Sequence, residues 1–168
     1  MIAKPSEISA LIAAVQLNNV RLIEASAKTT IRSPKEVGEA AKCSIETSAQ
    51  VKDILQNPAS FYVVASMRLQ LAGNKAESEP AVSVQASVEL EYLLPEGFPV
   101  RPKELNDFAE INAVFNAWPY WREYIQNAFS RMNLPPFTLP VYRLKDRMLG
   151  ANKQRSLPRA RKIRSKTG

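Results

Sequence analysis

Phe115-Asn116-Ala117-Trp118-Pro119-Tyr120-Trp121-Arg122-Glu123-Tyr124 places five aromatic residues and a proline in ten positions. The stretch holds both tryptophans of the chain. It lies inside a longer helical pattern. Phe108, Ile111, Phe115, Trp118, Ile125, Phe129 and Met132 recur at spacings of three, four and seven, and Val114, Trp121, Tyr124 and Ala128 widen the stripe. The spacing predicts one long helix from about Glu104 to Met132. Pro119 removes a backbone donor and clashes with the carbonyl four residues earlier, so a kink is expected near Phe115. Downstream, Asn133-Leu134-Pro135-Pro136-Phe137-Thr138-Leu139-Pro140 forms a stiff exit.

Upstream the period changes from 3.6 to 2. Val82, Val84, Ala86, Val88, Leu90, Tyr92 and Leu94 alternate with polar residues, and so do Phe61, Val63, Ala65, Met67, Leu69 and Leu71. These are half-buried strands, joined by the polar turn of residues 73–80 into an antiparallel hairpin. A third strand fits Cys43 to Val51, after which Ile54 to Pro58 turns the chain. A first strand over residues 14–30 changes phase between Val15/Leu17 and Val20/Leu22, which predicts a bulge near Asn18-Asn19. Pro5 to Leu11 reads as a short helix with Ser6 as N-cap. Residues 33–41 are too long for a tight turn and are expected to cross over the sheet.

The fold class read from this order is α+β: a four-stranded antiparallel sheet with a crossover loop and one long helix on one face. A second, short helix fits Arg143 to Leu149. A single helix about 10 Å wide cannot cover four strands spanning about 19 Å. Apolar surface is therefore left for another chain, and an oligomer is expected.

Composition narrows the function. The net charge of +7 is not spread evenly. Residues 145–168 carry nine Lys/Arg against Asp146 alone, while residues 1–144 carry fourteen Lys/Arg against fifteen Asp/Glu. We therefore divide the chain into a folded domain, residues 1–144, and a basic tail, residues 145–168, expected to be disordered. The tail allows an alternative reading, a nucleic-acid-binding accessory protein that grips phosphates in a salt-dependent way. No histidine is present, and Cys43 is the only cysteine. A catalytic thiol would lack a base and a metal would lack imidazole and thiolate ligands, so no enzyme, cofactor or metal site is expected. The single cysteine, and the lack of any signal-like or membrane-spanning segment, favour a cytoplasmic protein without membrane insertion.

Four strands, a crossover, the motif Trp118-Pro119-Tyr120-Trp121-Arg122-Glu123-Tyr124 and the Pro-Pro exit together resemble the SecB family of export chaperones. The resemblance covers residues 14–143. It implies a homotetramer, a dimer of dimers with the long helices between dimers. It also implies ATP-independent holding of unfolded or precursor polypeptides in apolar grooves. The partner it implies is either the SecA motor or, in the toxin–antitoxin branch, a dedicated antitoxin. The near-neutral body departs from the acidic surface by which the export type docks its motor. On this basis Tyr62, Val64, Leu93, Leu139, Val141 and Tyr142 are candidate client contacts, and Phe115, Trp118, Trp121, Tyr124 and Ile125 are candidate oligomer contacts.

Overall fold

A computed structural model describes residues 5–33, 42–57, 59–72 and 79–142. Helix α1 (Pro5–Ala14) leads into β1 (Gln16–Thr29), followed by β2 (Cys43–Gln56), β3 (Ala59–Leu71) and β4 (Val82–Leu93). Then come α2 (Pro102–Phe108), a π-helical turn (Ala109–Ala113) and α3 (Val114–Arg131). The sheet is antiparallel with strand order β1-β4-β3-β2. β1 and β2 are thus opposite edges, and the connection between them must travel from one side of the sheet to the other.

The alternation seen in the sequence is the burial pattern of the central strands. Phe61, Val63, Ala65, Met67, Leu69 and Leu71 of β3 are buried, as are Val82, Val84, Ala86, Val88, Leu90 and Tyr92 of β4. They face the helices and form the core. Phe61 stacks on Tyr92 with ring centroids 5.1 Å apart, and Phe108 meets both edge-on. Asn116 Nδ2 donates to the Tyr92 hydroxyl at 3.0 Å, tying the helix layer to the sheet. Burial raises the Tyr92 phenol to about 12, so it stays neutral.

Three boundaries differ from the sequence reading. Helix α1 begins at Pro5, so Ser6 lies inside the helix and is not its cap, and the helix runs on to Ala14. Ile54 to Gln56 belong to β2 and are not part of the turn: a bulge between Val51 and Ile54 resets the register, which continues to Gln56↔Ala59. β1 has the expected bulge between Leu17 and Asn19 and a second one between Leu22 and Glu24. The short helix expected over residues 143–149, most of the crossover loop and the basic tail lie outside the described residues.

The long helix is the largest correction. It starts at Pro102, where a proline costs no hydrogen bond. A π turn at 109–113, which the sequence did not announce, interrupts it, and Pro119 lies inside α3. A π turn inserts one extra residue and rotates everything after it by about 100°. Before it the buried residues are Glu104, Leu105 and Phe108, within it Ala109 and Ala113, and after it Val114, Ala117, Trp121, Ile125, Ala128 and Phe129. The broad stripe of the sequence was two stripes offset by one position. Phe115, in phase with Phe108, is turned off the core and 46% exposed, while Trp118 is half-buried and packs at the margin of the core.

Candidate polypeptide-binding surfaces

Three surfaces can meet another polypeptide. The first is the side of β1 that faces the helix layer. Leu17, Val20, Leu22, Ala25 and Ala27 pair with Tyr92, Leu90, Val88, Ala86 and Val84 of β4, so their side chains share the core-facing side. The helices pack over β2, β3 and β4 and barely reach β1. As a result the apolar row on β1 has no roof among the described residues: Leu17 is 38% exposed and Leu22 51%, and Ile23, in the second bulge, is 44% exposed. The shortfall of one helix over four strands falls on the edges, on β1 and on the end of β2, where Ile54 and Leu55 are also exposed. Among the described strands β1 is also an edge, and no described strand pairs with its outer row of backbone groups.

The second surface is the outer side of α3 and the segment that returns along it. After α3, Asn133 takes a left-handed conformation (φ 55°), and Leu134 N–H reaches back to the Phe129 carbonyl. This helix-ending motif turns the chain around. Residues 137–142 then run back along the helix. Phe137 stacks on Phe129 at 5.2 Å, and Gln126 Nε2 donates to Thr138 Oγ1 at 3.1 Å. Trp118 Nε1 donates to the Pro140 carbonyl at 2.8 Å, and Tyr142 lies against Trp118 and Phe115. Leu139 is buried, whereas Val141 is 68% exposed.

The third is the sheet face turned away from the helices. Tyr62, Val64 and Leu93 are half-buried there, in a field of serine, glutamine and charged residues. Glu24, Glu46, Glu89 and Glu91 stand against Arg21, Lys28 and Arg68, so the face is close to neutral. Arg21 pairs with Glu89 at 2.6 Å. The Tyr62 hydroxyl donates to Glu91 Oε1 at 2.7 Å, and Asn18 Nδ2 donates to Glu91 Oε2 at 2.8 Å. Asn18 is the residue between the paired positions Leu17 and Asn19, so one carboxylate pins the first bulge of β1 to β4 and β3. These hydrogen bonds, Tyr62's above all, hold the Glu91 carboxyl below its ordinary value of 4.5. The same bond raises the Tyr62 phenol above 10.0.

A lowered carboxylate stabilises the fold above its unfolded pKa, and that contribution is lost as pH falls through the folded value. Amides around the first β1 bulge should therefore exchange with solvent faster as pH drops below 4.5, after correction for intrinsic rates. In Glu91→Gln that extra acid response should be missing. Equal acid responses in the two proteins would show that Glu91 does not hold the bulge.

Among the residues proposed from the sequence, the structure brings Phe115, Trp118, Val141 and Tyr142 together on one surface. Tyr62, Val64 and Leu93 lie on the far side of the sheet. Leu139 is a buried anchor, not a surface contact, and Trp121 and Ile125 are fully inside the chain's own core. Tyr124 is half-buried. The residues missed were Leu17, Leu22 and Ile23. Leu17 and Leu22 had signalled only a change of phase, and exposure of a strand's apolar side follows from where the helices land. Cys43 is half-buried, and burial raises its thiol to about 11, which suits a small packing residue. Among the described residues no helix is long and apolar enough to cross a membrane, and no acidic or sulfur cluster could hold a metal ion.

A solved structure aligns closely with this arrangement. It is a SecB-like chaperone of Mycobacterium tuberculosis in complex with a ChAD peptide from an antitoxin, with a TM-score of 0.69, 24% identity, and coverage of 82% of this chain and 97% of that one. The chain has the SecB-like fold. A Streptococcus agalactiae protein of unknown function aligns at a TM-score of 0.45 and 11% identity over 75% of this chain and 96% of its own. No family model matches the SecB-like chain, and no curated protein matches it by sequence.

Proposed function

We propose that this SecB-like chain is an ATP-independent chaperone that holds unfolded polypeptide, with an antitoxin-like protein as its dedicated client. The observation that carries this reading is exposed apolar surface in two places, Leu17, Leu22 and Ile23 on an edge strand and Phe115 and Val141 on the outer side of α3, more than a self-contact along β1 alone would cover. Unfolded chains offer apolar side chains and free backbone groups, and such a surface answers both without demanding a particular sequence. The fold neighbour holding an antitoxin peptide supports the choice of client. The near-neutral sheet face favours it over the SecA motor, which in the export type docks on acidic surface.

A homo-oligomer belongs to the same proposal. β1 and the outer side of α3 lie on different parts of the protomer. Two copies paired along β1 roof each other's apolar row, and the outward side of α3 remains for a second contact. Two separate self-contacts are what a tetramer built as a dimer of dimers requires. Several weak client sites on such an assembly act together through effective concentration.

The test is dilution of a denatured, slow-folding protein into buffer containing stoichiometric oligomer and no nucleotide. Suppressed light scattering is expected. If several unrelated clients aggregate unchanged, general holding is rejected. If a co-expressed antitoxin from the native host then also fails to co-purify, the dedicated version is rejected too.

A further inference from the structure

Residues 145–168 are the one strongly charged stretch that the polypeptide-holding reading leaves unused. Their nine cations are regularly placed. Lys145 and Arg147, Lys153 and Arg155, Arg159 and Arg161, and the series Lys162, Arg164, Lys166 all stand two residues apart, so every cation of the stretch has a neighbour at that spacing. Positions two apart do not face each other on a helix. On extended backbone they share one side, about 6.5 Å apart. The spacing suits a partner that is itself extended and carries an anion at each step of similar length. A sugar-phosphate strand is such a partner.

The described body offers no anionic patch for these cations. On the outer sheet face Glu89 pairs with Arg21 at 2.6 Å, Glu91 accepts from Tyr62 and Asn18, and Glu46 stands opposite Arg68. In the helix layer Glu104 pairs with Arg101 at 3.2 Å, Asp107 with Lys103 at 4.0 Å, and Glu123 accepts from Asn127. Among the described residues the carboxylates are thus engaged one by one, and no acidic cluster gathers that could face nine cations. Tyr142, the last described residue, is packed on Trp118 and Phe115, so the chain continues from the outer side of α3, away from the carboxylates of the sheet face. The complement to this charge is therefore sought in another molecule.

We infer that residues 145–168 bind single-stranded nucleic acid, their cations pairing in series with successive phosphates of one strand. The inference goes beyond the polypeptide-holding reading and does not depend on it. Five of the nine cations are arginines, whose planar fork takes a phosphate through two hydrogen bonds. The stretch contains no aromatic residue, so it has no ring on which a base could stack. Binding therefore runs through the phosphates and does not read the bases. An anionic membrane surface presents headgroups at no fixed spacing, and the stretch lacks the tryptophan or tyrosine that would seat it at a lipid interface. The regular spacing of the cations thus favours a strand over a membrane.

The experiment measures fluorescence anisotropy of a labelled oligouridine RNA of about twenty nucleotides, titrated with the full-length protein between about 50 and 200 mM salt. With about five to seven cations engaged, log affinity should fall against log salt with a slope of about −3.5 to −5, so the fourfold rise in salt weakens binding by roughly a hundred- to a thousandfold. The variant Arg159→Gln, Arg161→Gln, Lys162→Gln, Arg164→Gln, Lys166→Gln should bind at least about tenfold more weakly, and its slope should shrink by about 3.5. A second variant, Arg159→Ala, Ala160→Arg, Ile163→Arg, Arg164→Ile, keeps the charge but breaks the spacing, and should bind roughly threefold or more weakly than wild type. Oligothymidine DNA of the same length should bind within about threefold of the RNA, because phosphates alone are gripped. Undiminished binding by the glutamine variant overturns the inference, and so does equal binding by the variant with altered spacing. Tighter binding to vesicles of anionic phospholipid than to RNA at equal anionic charge also overturns it, because the partner is then a membrane. Aggregation assays keep the two readings apart. The glutamine variant should suppress aggregation as wild type does, and a wild type that binds RNA without suppressing aggregation would remove the holding reading alone.

Discussion

Trp121→Ala is expected to cost the fold about 3–5 kcal/mol, the range for deleting a large buried aromatic. Folded domains of this size are stable by only about 5–15 kcal/mol, so the variant should lose from about a fifth to nearly all of its stability. Trp121 is completely buried in the protomer, between the sheet and the rest of α3, and Trp118 meets it edge-on at 6.1 Å. The aromatic motif alone had suggested a different outcome, in which altering Trp121 separates subunits that stay folded. Its burial inside one chain makes loss of the subunit the expected result. Two variants sharpen the contrast. Phe115→Ala, on the same helix but outward, should cost about 1 kcal/mol or less. Trp121→Phe loses volume but removes an indole N–H that has no hydrogen-bond partner among the described residues, a deficit costing about 1–3 kcal/mol. Its net cost should therefore be less than half that of Trp121→Ala. Urea denaturation midpoints followed by far-UV circular dichroism check all three. Equal midpoints for Trp121→Ala and Phe115→Ala would overturn the assignment of the core stripe.

The sheet was legible because each central strand has one buried face, and period-two burial is written residue by residue in Val82 to Tyr92 and Phe61 to Leu71. The first bulge of β1 was legible for the same reason: an inserted residue shows as a change of phase. The second bulge was not, because the apolar side chains of β1 are largely exposed and alternation carries no constraint there. The π turn was hidden by aromatic size. Phe115 and Trp118 outweigh Val114 and Ala117 in any reading of hydrophobic periodicity, yet the smaller pair faces the core. A buried Ala117 lets α3 approach the sheet closely, a packing choice that only the sheet's geometry decides. Of the candidate contacts, Tyr142 and Val141 lie on the helix-return surface, a position that the sequence did not give them. Leu139 was misread because its alternation with Val141 does not say which of the two points inward.

Leu22→Glu is expected to abolish self-association while leaving the protomer folded. Leu22 is half exposed in the single chain, on a strand that the helices leave uncovered, so a glutamate there keeps much of its hydration and changes protomer stability little. If two copies roof each other's β1 rows, the same carboxylate is buried opposite its symmetry mate, together with Leu17, Val20 and Ile23. A buried carboxylate without a cation costs several kcal/mol, and a two-fold axis brings two of them close together. Every 1.4 kcal/mol is tenfold in affinity, so the subunit dissociation constant should rise by roughly a hundredfold or more. Leu22→Ala, which removes only apolar contact, should weaken assembly far less. Size exclusion with light scattering at micromolar protein, read beside circular dichroism, separates dissociation from unfolding. Persistence of the wild-type mass in Leu22→Glu would show that copies do not meet along β1, and the apolar row would then be left as client surface. Dissociation together with loss of aggregation suppression would instead show that holding needs the assembled sites. Dissociation with suppression intact would place the client on surfaces that a single protomer already presents, the outer side of α3 among them.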